Sequence, residues 1–260
     1  MLKKEAKEIT GGLSAPSKMP GPAYNLPATQ CLTGAKLVKV PGSVCAGCYA
    51  LKGRYRFSNV RMALARRLES LKHPRWVEPM TALIAGEPWF RWHDSGDLQS
   101  TWHLKQIFEV CKRTPETSHW LPTRERKFLP LSPDSIPKNL TIRFSSHMIN
   151  QPPVTSWPWT STVSTKSKTC PAADQGNQCG SCRSCWNREV PMSRILSIKW
   201  ITNKNSPSYK PPAASVKPED LHAINTKNFI SLDEKDTSRK LQAPSLSSKP
   251  QASSRKRQAP

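Results

Sequence analysis

Pro88-Trp89-Phe90-Arg91-Trp92-His93-Asp94-Ser95-Gly96-Asp97 is the stretch on which the fold turns. Its first half is short and aromatic behind a proline, which predicts a strand, and its second half is a polar loop. Downstream, Ser100 to Lys112 puts Leu104, Ile107, Phe108 and Cys111 on one helical face, and Pro115 ends the run. Ser118-His119-Trp120-Leu121 reads as a second strand and Leu140-Thr141-Ile142-Arg143-Phe144-Ser145 as a third. Strand, helix, strand is the unit of a parallel sheet, because parallel neighbours need a crossover. The expected class is therefore α/β: a partial (β/α) barrel or open parallel sheet with cysteine-rich metal-binding loops and a disordered C-terminal tail.

Working outward towards the start, Asn59 can cap a helix whose Val60, Ala63, Leu64, Leu68 and Leu71 share a face. A second helix is expected near Pro74 to Ala85, with Trp76, Val77, Met80, Leu83 and Ile84 together and Gly86 as its stop. Pro79 either kinks that helix or marks its first turn. Cys31 to Tyr55 shows little helical period, and Pro41 to Tyr49 has the small residues of a loop that wraps around something. Residues 1–23 are read as a flexible arm, 24–200 as a cysteine-rich α/β domain and 201–260 as a tail.

The tail carries seven Pro and ten Ser, with no Trp or Cys. Such a segment buries too little apolar surface to offset the roughly 1–2 kcal/mol of backbone entropy lost per ordered residue. It holds +6 of the formal charge of +22, so residues 1–200 hold +16. A basic surface of that size favours nucleic acid or another polyanion. No apolar run approaches the roughly 20 residues of a membrane span, and no membrane partner is expected. Met1-Leu2-Lys3-Lys4-Glu5 has no apolar stretch behind it, so a location in the cytoplasm of a host cell is expected.

The cysteines carry the more specific signal. Cys45 and Cys48 form a C-x2-C pair with Cys31 upstream, while Cys170, Cys179, Cys182 and Cys185 form C-x8-C-x2-C-x2-C. Cys111 falls on an apolar helical face and reads as core. Where thiols stay reduced, repeated C-x2-C spacing points to metal before disulfides. The downstream four can close a zinc tetrahedron, yet their C-x2-C-x2-C run also has ferredoxin spacing. The upstream set supplies three thiolates, which leaves a metal position open or calls for a fourth ligand from elsewhere. Buried thiols without metal are the plain alternative.

Three polar sets fall at strand ends: His93 to Asp97, Thr123 to Arg126, and Ser145 to His147. Ligands of parallel sheets collect there. His93, Asp94 and Asp97 are candidate catalytic residues, as bases, metal ligands or hydrogen-bonding groups, although Asp94 or Asp97 can equally cap the next helix. Arg124 is a further catalytic candidate and, with Arg126 and Lys127, can hold a phosphate or carboxylate. No Walker loop or G-x-S-x-G elbow occurs, which argues against ordinary NTPase or serine-hydrolase chemistry.

Cys45-Ala46-Gly47-Cys48-Tyr49-Ala50-Leu51-Lys52-Gly53, Arg91 to Leu98, Thr123-Arg124 and Gln178 to Trp186 together resemble the bacteriophage gene product 88 family, in the family's order and over about residues 24–200. The resemblance implies a phage or prophage origin and brings no reaction with it. The thirteen residues between Cys31 and Cys45 exceed the family's usual spacing. More distantly, Cys31, Cys45 and Cys48, with Tyr49 beside the last, resemble the loop by which radical S-adenosylmethionine enzymes hold a 4Fe-4S cluster. Gly96-Asp97 resembles their Gly-acid pair, so Tyr49, Gly96 and Asp97 become cofactor-binding candidates. Pro41 stands where that pattern would have a further Cys.

Two functions follow as expectations. One is an iron-sulfur α/β enzyme, radical S-adenosylmethionine-like, acting on nucleic acid or a nucleotide-derived substrate. The other is a non-enzymatic nucleic-acid-binding protein whose cysteines hold structural zinc.

Overall fold

A computed structural model describes residues 2–166 and 168–190 in full and Met192–Ile195 by backbone. The tail expected over 201–260 lies outside the described residues. Five strands lie side by side in chain order: β1 (Ala23–Tyr24), β2 (Trp89–Trp92), β3 (Ser118–Thr123), β4 (Leu140–Ser145) and β5 (Thr160–Ser164). Every neighbouring pair is parallel, and β6 (Met192–Ile195) continues the sheet beside β5. Because the order never reverses among the described strands, they form no switch-point crevice, and a ligand site is expected at the carboxyl ends of the strands.

The two faces of the sheet differ, as the period of two requires. Phe90, Trp92, Leu121, Leu140, Ile142 and Phe144 join the main core. Against them pack α4 (Val77–Ile84), through Met80 and Ile84, and α5 (Thr101–Arg113), through Leu104, Ile107, Val110 and Cys111. Cys111 is thus the core residue its helical position predicts. On the opposite face Trp120 packs with Cys185 and Trp186, and Trp89 and Cys170 lie against that group. Since β4 is buried at every position, both faces are covered.

Helix ends follow local chemistry. Ser100 caps α5, its Oγ accepting from the His103 amide at 3.0 Å. Pro79 is the third residue of α4, within the first turn where a missing N–H costs nothing. Asn59 is not a cap: α3 (Ser58–Ser70) starts one residue earlier, and the Asn59 side chain bonds the Val60 amide within the first turn.

Two segments read as irregular are ordered. Within the expected arm, Lys3–Thr10 forms α1, which packs on α4 with Ala6 and Thr10 buried. Its anchors are distant in sequence: Tyr24 Oη lies 2.7 Å from the Thr10 carbonyl, and Arg67 Nε donates to the Gly12 carbonyl at 2.8 Å. Leu32–Leu37 forms α2, a short helix inside the loop region expected between Cys31 and Tyr55. Among the described residues, no helix is long and apolar enough to cross a membrane.

Candidate functional site

The C-terminal ends of β1 to β4 are stitched into one mouth. After β1, the Leu26 amide donates to the Ser95 carbonyl and Ser95 Oγ to the Leu26 carbonyl, each at 2.9 Å. After β2, Asp97 reaches across to β3: Thr123 Oγ1 donates to its Oδ1 at 2.6 Å and the Arg124 amide to its Oδ2 at 2.9 Å. The Leu98 amide donates to Oδ1 as well, at 2.8 Å. Burial pushes this carboxyl up to about 6 against the pull of those donors. Gly96 has φ +80°, and a Cβ there would lie 2.6 Å from Leu26 Cβ, so glycine is required for the strand ends to approach.

The loops bearing Cys31, Cys45 and Cys48 are tied to the same ends. Thr33, two residues beyond Cys31, donates through its amide and Oγ1 to the buried Glu125 carboxylate at 2.7 and 2.8 Å. The loop before Cys45 is fastened to the end of β4, with the Val44 amide donating to the His147 carbonyl at 2.9 Å and Ile149 to Gly42 at 3.0 Å. Beyond Cys48, Tyr49 Oη donates to the Asp94 carbonyl, and Tyr55 Oη donates to Asp94 Oδ2 at 2.6 Å. Asp94 also pairs with Arg91 at 2.8 Å.

The three upstream cysteines are thereby brought together. A Cβ on Gly34 would have the sulfurs of Cys31 and Cys45 at 3.7 and 3.8 Å, and Cys48 is within electrostatic reach of both. Burial pushes the Cys31 thiol well up, with the charges of Asp97, Cys48, Cys45 and Glu125 adding to it. Cys45 is pushed up by burial too, while the Arg124 guanidinium beside it works the other way. A cation among these sulfurs would relieve the penalty, since metal ligands are thiolates. The thiols gather but do not close on one ion: among the described residues no three His, Cys, Asp or Glu groups could hold a metal ion as they stand.

The other expected site residues divide. Asp94 anchors the Cys48 loop, and Asp97, with both oxygens engaged, braces β2 against β3. Arg124 lies at the mouth, its Nε donating to the Ser146 carbonyl at 3.3 Å and its charge near Cys45. Tyr49 is 44% exposed at the rim. His93 has a different place: it is buried at φ +63°, with its ring 5.3 Å from that of His103. Burial pushes it down to about 3, which favours a neutral imidazole packed in the core. Glu125, Thr33 and Tyr55 were not singled out from the sequence. Glu125 had one signal, as the only acid in the strand-end run Thr123-Arg124-Glu125-Arg126-Lys127.

The downstream cysteines are elsewhere, across the other face of the sheet. Arg143 of β4 sets its guanidinium among five carbonyls: Cys185 at 3.1 Å, Ser184 at 2.7 Å, Val190 at 2.8 Å, Thr160 at 3.2 Å, and Asn187. Thr141 Oγ1 donates to the Trp186 carbonyl at 2.6 Å, and Trp186 Nε1 to the Phe90 carbonyl at 2.9 Å. Cys185 is therefore buried against Trp120 and Trp186, while Cys182 Sγ donates to Ser184 Oγ at 3.4 Å. The Cys179 amide donates to the Lys18 carbonyl at 2.9 Å. The two cysteine groups thus occupy separate regions.

Fold and site together define a parallel α/β protein with a polar, thiol-rich mouth at the carboxyl ends of its strands. The chain belongs to the gene product 88 family, whose model matches residues 1–157. The match takes in α1 and the whole mouth and stops before Cys170, so the resemblance noted at Gln178 to Trp186 lies beyond it. No match was found among curated proteins or among solved structures.

Proposed function

We propose that this phage-encoded chain is an open-sheet α/β protein whose mouth holds an iron-sulfur cluster on Cys31, Cys45 and Cys48 and acts on nucleic acid or a nucleotide-derived substrate. The observation that carries the reading is the convergence of three thiols, from loops anchored separately to Glu125, His147 and Asp94, on the ligand end of a parallel sheet. A 4Fe-4S cluster seats its thiolates further apart than a single ion does. Bound by three cysteines, it would keep one iron open to a small molecule. Arg124 would then orient an anionic ligand. Asp97 offers no free carboxylate to S-adenosylmethionine, so any contact with that cofactor falls to the backbone around Gly96.

Anaerobic purification, iron and sulfide analysis, and a visible spectrum test the reading. A brown protein with iron and acid-labile sulfide, lost in Cys45→Ser and Cys48→Ser but retained in Cys111→Ser, is the expected result. A perturbed electron paramagnetic resonance signal on adding S-adenosylmethionine would extend it to that cofactor. Colourless protein containing only zinc, or no metal, would overturn it. Zinc would favour the second reading, a nucleic-acid-binding protein with structural metal on Cys170, Cys179, Cys182 and Cys185. Its support is the way Arg143 and Trp186 fix that segment as scaffold.

A further inference from the structure

From Ile9 to Leu68 the chain contains no Asp or Glu but nine Lys and Arg. In the fold the elements of this stretch pack one against the next. The turn at Ala28–Gln30 packs against both α2 and the turn at Tyr49–Leu51, which in turn meets the turn at Gly53–Arg56 and then α3. Lys39, Lys52, Arg54, Arg56, Arg61 and Arg66 are all exposed along it. None of the six has a salt bridge among the described residues, whose ion pairs involve other cations. Unpaired cations at this density repel one another and are a cost to the free protein.

Apolar side chains stand among them. Phe57 is 59% exposed, Met62 63% and Leu51 37%. Next to the turn at Ala28–Gln30, a shallow cavity of about 530 Å³ is lined by Cys31, Leu32, Lys36 and Lys39, so the surface leads to the first cysteine of the mouth.

We infer that this surface is a track for single-stranded nucleic acid. Cations without acidic partners complement a phosphate chain, and an exposed Phe between Arg56 and Arg61 offers a face to an unpaired base. A duplex hides its base faces, so the apolar positions would gain nothing from it. The inference shares the nucleic-acid partner with the functional reading above but requires no metal.

The test is fluorescence anisotropy of the full chain with a labelled 20-nucleotide oligo(dT), a duplex of equal length and heparin, with metal content measured on the same preparation. Phe57→Ala should weaken oligo(dT) binding about tenfold and leave heparin binding unchanged, and Phe57→Trp should restore it. Arg54→Ala with Arg56→Ala should weaken both and flatten the salt dependence of oligo(dT) binding by roughly 1 to 2 in log-log slope. Because these side chains are exposed, far-UV circular dichroism should match the parent for every variant. Wild-type oligo(dT) affinity in Phe57→Ala, or equal affinity for duplex, would overturn the inference. A colourless, metal-free preparation that still discriminates oligo(dT) from duplex would sink the cluster and leave the track standing.

Discussion

Glu125, the residue after next beyond β3, accepts two hydrogen bonds from Thr33, one from the amide at 2.7 Å and one from the hydroxyl at 2.8 Å. A fully buried carboxylate thereby has both oxygens satisfied by the loop that carries Cys31. Thr33→Val keeps the shape and removes one donor, leaving Glu125 Oε2 unpaired in the interior. The expected cost is about 1–3 kcal/mol in urea unfolding, with alkylation of Cys31 several-fold faster. Thr33→Ser should behave as the parent. An unchanged alkylation rate in Thr33→Val would show that the contact does not hold the loop.

Arg143 does for the second cysteine segment what Glu125 does for the first, with the polarity reversed. Five carbonyls surround one guanidinium, and no carboxylate among the described residues pairs with it. Arg143→Met fills the volume but leaves those acceptors unsatisfied, so a loss of about 3–5 kcal/mol is expected. Hydrogen exchange should locate it: the Trp186 and Asn187 amides, which close turns with Arg183 and Ser184, should lose protection while β2 and β3 keep theirs. Uniform loss across the sheet would mean that Arg143 supports the whole fold instead of this segment.

Acid should unfold the protein, and the sign follows from four buried groups. Burial pushes His93 and His119 down to about 3 and His103 well below its ordinary value. Their contribution is present above about pH 6.5, where the unfolded imidazoles are neutral as well, and is lost as pH falls towards the folded values. Asp97, pushed up to about 6, acts oppositely: its contribution is full below about pH 4 and is lost as pH rises through 6. Each group is worth about 1.4 kcal/mol per pH unit where its two states differ, and three imidazoles outweigh one carboxyl. Stability from urea midpoints should therefore fall by about 2–3 kcal/mol per unit between pH 6 and pH 5. His119→Gln should remove about one proton from that slope. A flat profile over this range would contradict the burial of the imidazoles.

Much of the α/β frame was legible because its signals are local. Trp89 to Trp92 and Leu140 to Ser145 sit in apolar, β-prone runs bounded by turn residues, and Leu104, Ile107 and Cys111 recur at helical spacing. The anchors of the mouth were not legible, since each joins positions far apart in the chain: Thr33 to Glu125, Val44 to His147, Asp94 to Tyr55. A buried acid in a basic run looks, in one dimension, like a solvated turn. The helix at Lys3–Thr10 was missed for a related reason. Its surroundings in Gly, Pro and Ser read as irregular, and its packing on α4 and its anchors at Tyr24 and Arg67 are tertiary. His93 was read as a site residue because it follows a strand, whereas its ring packs in the interior beside His103. Its left-handed backbone at φ +63° is consistent with a ring turned back among Trp92 and His103.

Gly96 tests whether the strand ends must meet as closely as they do. Alanine there incurs two costs. A residue with a Cβ at φ +80° costs about 1–2 kcal/mol, and the added carbon would sit 2.6 Å from Leu26 Cβ and 2.8 Å from the Leu26 carbonyl oxygen. Backbone cannot yield cheaply, so β1 and β2 would have to part and carry the Ser95 and Leu26 hydrogen bonds with them. Gly53 is the control: its φ is +52°, but nothing lies within 4 Å of an added Cβ, leaving only the conformational cost. Gly96→Ala should thus lose at least 3 kcal/mol by urea unfolding, against about 1 kcal/mol for Gly53→Ala. It should also expose Cys31 and Cys45 to alkylation before global unfolding, because the strand ends that support their loops are displaced first. Equal losses in the two variants would show that the contact between Gly96 and Leu26 relaxes freely and does not set the shape of the mouth.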